Sequence, residues 1–214
     1  LCEVENEVCC KKLTYILRHC RYDYVHYESP DVRGIDVAML YRKDQFEVLS
    51  SRPVKVYLDS VTFTRDILYV EGVIEKKDTL HLMVCHLPSQ LGGAQASAWK
   101  RAAAKAVIQN ITDSIYALYP QAKIVVMGDM NGEPKNDIQG LTNMMAATKM
   151  KTYKYKGIWS CIDQFYLSPA METISSSRVF DAEWLQKEDT KYLGLKPKRP
   201  WVGYKYQKGG FSDH

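Results

Sequence analysis

Nowhere in the 214 residues is there an unbroken apolar run approaching the roughly 18–20 residues that a helical membrane span needs. Leu1 opens no signal peptide; a mature or trimmed chain would show none either, so its absence assigns no compartment. Charge of one sign is scarce. The 29 Lys and Arg stand against 25 Asp and Glu, a net charge of +4, too small an excess to name a polyanionic partner by itself. The six cysteines (Cys2, Cys9, Cys10, Cys20, Cys85 and Cys161) do not have the spacing of a metal site. Most sit in apolar patterns, where a reduced thiol serves as a small hydrophobe, and they read as structural. No repeat period emerges, which excludes a stacked-repeat architecture.

What is present is an ordinary globular balance, 46% apolar and 25% charged, at a length that suits one sizeable domain or two small ones. One domain over residues 1–214 is expected. The positive charge is concentrated in two stretches, "KMKTYKYK" (Lys149–Lys156) and "KPKRPWVGYKYQK" (Lys196–Lys208), where cations alternate with aromatics. Such segments can hold phosphates and stack on bases, or can be solvated loops. Oligomeric state is not legible.

Asn6 is a plausible N-cap for a helix carrying Cys9, Leu13, Ile16, Leu17 and Cys20 on one side. Strand-like runs follow at Tyr22–Glu28, Asp36–Arg42, Phe46–Leu58, Ile67–Ile74 and Leu80–Leu87, the last two joined by the polar "EKKDT" of a hairpin. A long helix is expected from about Gln95 to Tyr119, with Trp99, Ala102, Ala103, Ala106, Ile111, Ile115 and Leu118 near one face, and Pro120 stops it. Strands are expected again at Lys123–Gly128, buried on both faces, and at Cys161–Ser168. A polar stretch runs between them to about Lys156, and the C-terminal segment reads as loop. Consecutive strands with a few long helices indicate an α+β layered domain.

Polar side chains mark the strand ends. "KIVVMGDMNGEP" stops an apolar run at Asp129 and Asn131. Two positions apart, they share a side of an extended chain, although Asn-Gly is also a common turn signal. His86 ends "MVCHLPS", Asp163 interrupts the apolar "CIDQFYL", Asp213 and His214 close the chain, and Glu3 sits in "LCEVEN". Each alone reads equally well as a turn, cap or surface residue. Together they put several carboxylates and two imidazoles where sheet proteins build sites.

"LCE", "RGIDVAML", "VCHLPS", "GDMN", "IDQFYLS" and "SDH", in this order across the whole chain, resemble the endonuclease/exonuclease/phosphatase superfamily, the deoxyribonuclease I-like enzymes. The resemblance implies a four-layered α/β sandwich of two packed, mostly antiparallel mixed sheets flanked by helices. It also implies metal-dependent hydrolysis of a phosphodiester or phosphomonoester, as by a nuclease or phosphatase, with Mg²⁺, or Mn²⁺ in its place, as cofactor. Glu3 and Asp213 match the metal-binding carboxylates. Asp129 matches the residue that orients or deprotonates water, and Asn131 its amide partner. Asp163 and His214 match a carboxylate–histidine pair, and His86 a second histidine acting as acid or phosphate ligand. Arg33 and Arg65 are candidate phosphate contacts. The family's first strand, bearing an asparagine, and its closing strand are expected to lie outside residues 1–214. A binding module that keeps the fold without turnover is the alternative, and the retained residue set argues against it.

Overall fold

The computed structural model describes residues 1–59, 62–171, 174 and 176–214. In chain order the elements are α1 (Glu7–Ile16), β1 (Tyr22–His26), β2 (Ala38–Arg42), β3 (Phe46–Val54), β4 (Ile67–Ile74), β5 (Asp78–His86), α2 (Ala98–Leu118), β6 (Lys123–Asp129), β7 (Thr142–Asn143), β8 (Tyr153–Tyr155), β9 (Ile158–Ser160) and β10 (Asp163–Leu167). Short strands β11 (Gln186–Glu188), β12 (Leu195–Pro197), β13 (Trp201–Val202) and β14 (Lys205–Tyr206) follow. The C-terminal segment expected as loop therefore carries two small ladders, β11–β12 and β13–β14. The polar stretch before Lys156 contributes β7 and β8.

Six strands make one sheet in the order β3-β4-β5-β6-β10-β7. Every pairing is antiparallel except β5–β6, which α2 connects as a parallel pair. The β4–β5 hairpin turns through Glu75 and Lys76, both left-handed at φ 51° and 57°, the geometry that matches the twist of paired strands.

Helix α2 covers one face. Its buried positions are Ala104, Ile108, Ile111, Thr112 and Ile115, which follow helical spacing and meet Met83, Ile124, Val126 and Tyr166 of the sheet. The expected face is thus right at Ile111 and Ile115 but rotated elsewhere: Trp99 and Leu118 are exposed. The other face packs against the antiparallel β1–β2 pair, where Val37 and Met39 meet Phe46, Val70, Leu82 and Val84. In α1, the Asn6 side chain accepts from the Val8 N–H as expected. Its buried contact is Cys10, against Val4 and Ala38, while Cys9, Ile16 and Cys20 are exposed. A short helix docking by one thiol needs only a narrow stripe, so the broader expected face does not form.

Strand β6 was expected to be buried on both faces. Ile124 and Val126 are, under α2, whereas Val125 and Met127 are half-buried and line an apolar hollow of about 550 Å³. The buried residues of the β1–β2 cluster come from β2 to β5 and its neighbourhood, so that cover thins over β6 and β10.

The middle and the C-terminal end of α2 make a direct test. Ile108→Ala should cost about 3 kcal/mol of unfolding free energy through a core cavity, because Ile108 is fully buried. Leu118→Ala, at an exposed site, should cost less than about 0.5 kcal/mol. Urea titration of both variants checks this, and equal losses would refute the assigned face.

Candidate active site

The parallel register pairs His86 with Asp129, and the antiparallel register pairs Asp129 with Asp163. Three residues from β5, β6 and β10 thus stand side by side in one row across the sheet. Gly128 makes the row possible. It sits at φ 135°, and a Cβ there would collide with the Cys85 carbonyl, so only glycine lets β6 run this close to β5.

Beyond Asp129 the chain turns back. Asn131 is left-handed at φ 47°, its backbone N–H donates to Asp129 Oδ1 at 2.8 Å, and its Nδ2 donates to Asp129 Oδ2 at 3.1 Å and to the Leu87 carbonyl at 2.9 Å. The turn reading of Asp129 and Asn131 therefore holds, and it is compatible with the site reading. The turn is what aims the carboxylate.

His214 Nδ1 lies 2.6 Å from Asp163 Oδ2. Its ring also rests against Tyr153, centroids 4.9 Å apart. Burial works against the imidazolium, but the Asp163 hydrogen bond and the charges of Asp163, Asp129 and Asp213 outweigh it and raise the pKa from 6.5 to about 8. Asp129 is pushed up to about 7, chiefly by burial. His86 goes the other way, down to about 3, through burial and then the charges of Arg65, Arg33 and His214. Its Nε2 lies 3.4 Å from Asp129 Oδ2, and its Nδ1 is buried without a hydrogen-bond partner. A histidine so placed favours its neutral form near pH 7, in which one ring nitrogen can donate a hydrogen bond and the other accept one.

One cavity of about 760 Å³ takes in Glu3, Arg33, His86, Asp129, Asn131, Asp213 and His214, residues drawn from the whole length of the chain. Asp163 stands behind His214, on the wall of the apolar hollow. Glu3 is exposed and left-handed at φ 58°, held in place by the backbone bridge between Val4 and Asp36. Arg33 is half-exposed.

Arg65 departs from its expected place. It is buried, and its guanidinium donates to the carbonyls of His86 and Leu87, both at 2.9 Å, and to Asp31 at 3.0 Å. All of its reach is spent bracing the end of β5 from beneath, so it is a positioning residue and not a phosphate contact.

Glu3 and Asp213 offer oxygen atoms only, the donor chemistry of a hard cation that keeps much of its water. Among the described residues, the trio of His, Asp or Glu side chains whose ligand atoms already lie together is His26, Glu28 and Asp36, outside this cavity. Sequence reasoning did not single out that trio. Nor did it find Tyr153, Tyr155 and Gln90 on the cavity wall, although the first two lie in a stretch noted for its aromatics and cations.

The family model for the endonuclease/exonuclease/phosphatase family matches residues 1–214. The chain belongs to that family. Among solved structures it is similar to the human Nocturnin catalytic domain with bound sulfate anion, at 13% identity and a TM-score of 0.62, over 79% of this chain and 68% of that one. It is also similar to D. rerio TDP2 complexed with single strand DNA product, at 16% identity and 0.58, over 80% and 70%. A third is the Bacteroides thetaiotaomicron mannosyl-6-phosphatase Bt3783, at 13% and 0.58, over 79% and 70%. These likenesses establish a shared, deoxyribonuclease I-like fold. No curated protein sequence is close enough to count as a match.

Because its folded pKa is raised, the His214–Asp163 pair contributes stability in full below pH 6.5 and loses it as pH rises through about 8. In metal-free protein, NMR titration should give His214 a midpoint near 8, and Asp163→Asn should bring it to 6.5 or below. An unchanged midpoint in the variant would remove Asp163 as the cause.

Proposed function

We propose that the protein is a divalent-metal-dependent phosphoesterase, of one domain with the four-layered arrangement of its family, acting on a phosphodiester of single-stranded nucleic acid or a nucleotide. The observation that carries the reading is the row His86–Asp129–Asp163 with His214 closed onto its end. It sets a base and an acid of separated proton affinity against one cavity. The layering is supported by α2 on one face of the sheet and β1–β2, backed by α1, on the other.

Asp129 holds and deprotonates the attacking water. Its pKa of about 7 matches the operating pH, where a general base is most effective. The two N–H groups of Asn131 fix its oxygens, leaving little reorganisation to the reaction. As the water oxygen bonds to phosphorus, its proton passes to Asp129 and the ester oxygen departs with the electron pair of the P–O bond. His214, protonated at neutral pH, donates to a phosphoryl oxygen as negative charge builds there. Neutral His86 stands 3.4 Å from the Asp129 carboxylate. Glu3 and Asp213 would hold Mg²⁺ or Mn²⁺, which when bound neutralises phosphate charge and polarises the phosphoryl oxygen. Arg33 adds a cation at the cavity rim.

The preference for nucleic acid rests on the wall beside His214. Tyr153 and Tyr155 are parallel, their planes 8° apart, and both line the cavity. Arg199 lies over Tyr153 and Lys156 over Tyr155, each 5.4 Å from the ring centre. Both cationic-aromatic stretches of the sequence therefore meet at the site, as aromatic platforms with charge for the backbone. The single-strand DNA product carried by the D. rerio TDP2 structure is compatible with this preference, and the phosphomonoesterase neighbour names its competitor.

Hydrolysis of a chromogenic phosphodiester, a phosphomonoester and a short oligonucleotide, with and without Mg²⁺, tests the reading. Asp129→Asn and His214→Ala should each lower kcat by about 10²–10⁴-fold, and chelation should abolish turnover. Absence of any metal-stimulated hydrolysis would leave a binding module instead. Tyr153→Ala with Tyr155→Ala should raise KM for the oligonucleotide by about 10-fold or more, since stacking is worth roughly 1–3 kcal/mol per base, and leave the monoester unaffected. Equal effects on both substrates would overturn the nucleic-acid assignment.

A further inference from the structure

We infer that His26, Glu28 and Asp36 form a second cation site, separate from the catalytic cavity, for a divalent transition ion of the Zn²⁺ class. Each of the three offers one ligand atom, and these atoms lie within 4.8 Å of one another. None of the three lines the cavity that holds Glu3 and Asp213, so the inference does not depend on the proposed reaction.

The bland alternative is a buried histidine–aspartate pair. The geometry does not suit it. The side chains of His26 and Asp36 are both only 2% exposed, and His26 Nε2 stands 3.4 Å from Asp36 Oδ2, beyond an ordinary hydrogen bond. Both atoms are buried and without a hydrogen-bond partner, a costly condition for two groups side by side. Nor is Asp36 free to turn away. Its Oδ1 accepts from the Ser29 N–H at 2.9 Å and from the Ser29 hydroxyl, which holds Oδ2 facing His26. Two ligands bound at about 2.1 Å to one tetrahedral ion stand roughly 3.4 Å apart. The observed separation fits two ligands of one such ion, and the trio differs from the equally spaced His86–Asp129 pair in bringing a third ligand atom within 4.8 Å.

Charge points the same way. Glu28 is exposed and gives the site an opening to solvent. Asp66 has a buried Oδ1 without a hydrogen-bond partner, and burial raises its pKa, with Lys55 lowering it and Asp36 raising it further. A second buried carboxyl, Asp66, thus lies within electrostatic reach of Asp36, which already faces His26 and Glu28. An imidazole with carboxylates favours Zn²⁺ over Mg²⁺, whose sites are built of oxygen.

The ion would act on the active site through the backbone. Asp36 exchanges both hydrogen bonds with Val4, at 3.0 and 2.7 Å, and Val4 follows Glu3. A cation fixing Asp36 thereby stiffens the segment that presents Glu3 to the cavity.

The test uses the full chain, stripped with chelator, carrying Glu3→Gln and Asp213→Asn to silence the catalytic carboxylates. Titration with Co²⁺ should give visible ligand-field bands saturating at one equivalent, displaced by Zn²⁺ and indifferent to Mg²⁺. Thiolate charge-transfer bands in the near ultraviolet should be absent, because no cysteine belongs to the trio. Glu28→Gln, at an exposed position that leaves the core intact, should weaken binding at least 10-fold, and His26→Gln should abolish it. The thermal midpoint should rise with Zn²⁺ in the parent and not in Glu28→Gln. Absence of ligand-field bands, bands unchanged in Glu28→Gln, or bands accompanied by thiolate charge transfer would each overturn the site.

Discussion

The parallel pairing of β5 with β6 is the constraint on which the site depends. It places His86 beside Asp129, and the antiparallel pairing of β10 then adds Asp163 in the same row. A slip of one residue in either pairing would send alternate side chains to the opposite face of the sheet and dissolve the row. Register is held by burial on both sides, with Met83 and Val126 under α2, and Leu82 and Val84 toward β1–β2. The close approach of β6 to β5 at Gly128 adds a local restraint. Arg65 locks the far end by holding the carbonyls of His86 and Leu87. Packing far from the cavity thus decides where the chemistry sits.

The row gathers like charge in a dry place, and its members respond differently because their partners differ. Asp163 is half-exposed and has His214. Asp129 is buried deeper, and desolvation with the nearby Asp163 charge opposes its ionisation more than His214, the Asn131 N–H and Arg65 favour it. A carboxyl raised from 3.8 to about 7 costs the fold stability as pH climbs through that window. His214 is the reverse case, with carboxylates nearby that favour its charge. The separation of proton affinities within one sheet edge follows from depth and neighbours, not from residue type.

Much of this was legible in the sequence, and for identifiable reasons. Apolar runs ending at His86 and Asp129 mark strands whose last residue is polar where it lines the cavity. The ordered "VCHLPS", "GDMN", "IDQFYLS" and "SDH" carry six of the expected residues, five of which line one cavity while Asp163 stands behind it. Arg65 was not legible as a brace, since a guanidinium suits phosphate and backbone carbonyls equally and only burial distinguishes them. The charge state of His86 was hidden for the same reason. Helix faces were read one position off at Cys9, where Cys10 is buried instead, because adjacent thiols give periodicity no preference. The β11–β12 and β13–β14 ladders were missed because strands of two or three residues hold too few side chains to show alternation.

Asp36 shows why a motif can contain more than the function it announces. Its "RGIDVAML" stretch was read for what it shares with a family, and in the structure its aspartate is paired through the backbone with the segment of Glu3. Its side chain faces away from the cavity toward His26, on a strand the sequence marked only as apolar and aromatic. Backbone pairing and side-chain direction are independent in an extended chain, because alternate residues face opposite sides. One residue can therefore tie two sites together, its main chain serving the first while its carboxylate serves the second. Coupling of that kind needs no movement of either site: rigidity supplied at Asp36 is shared by Val4, and so by the carboxylate one residue before it.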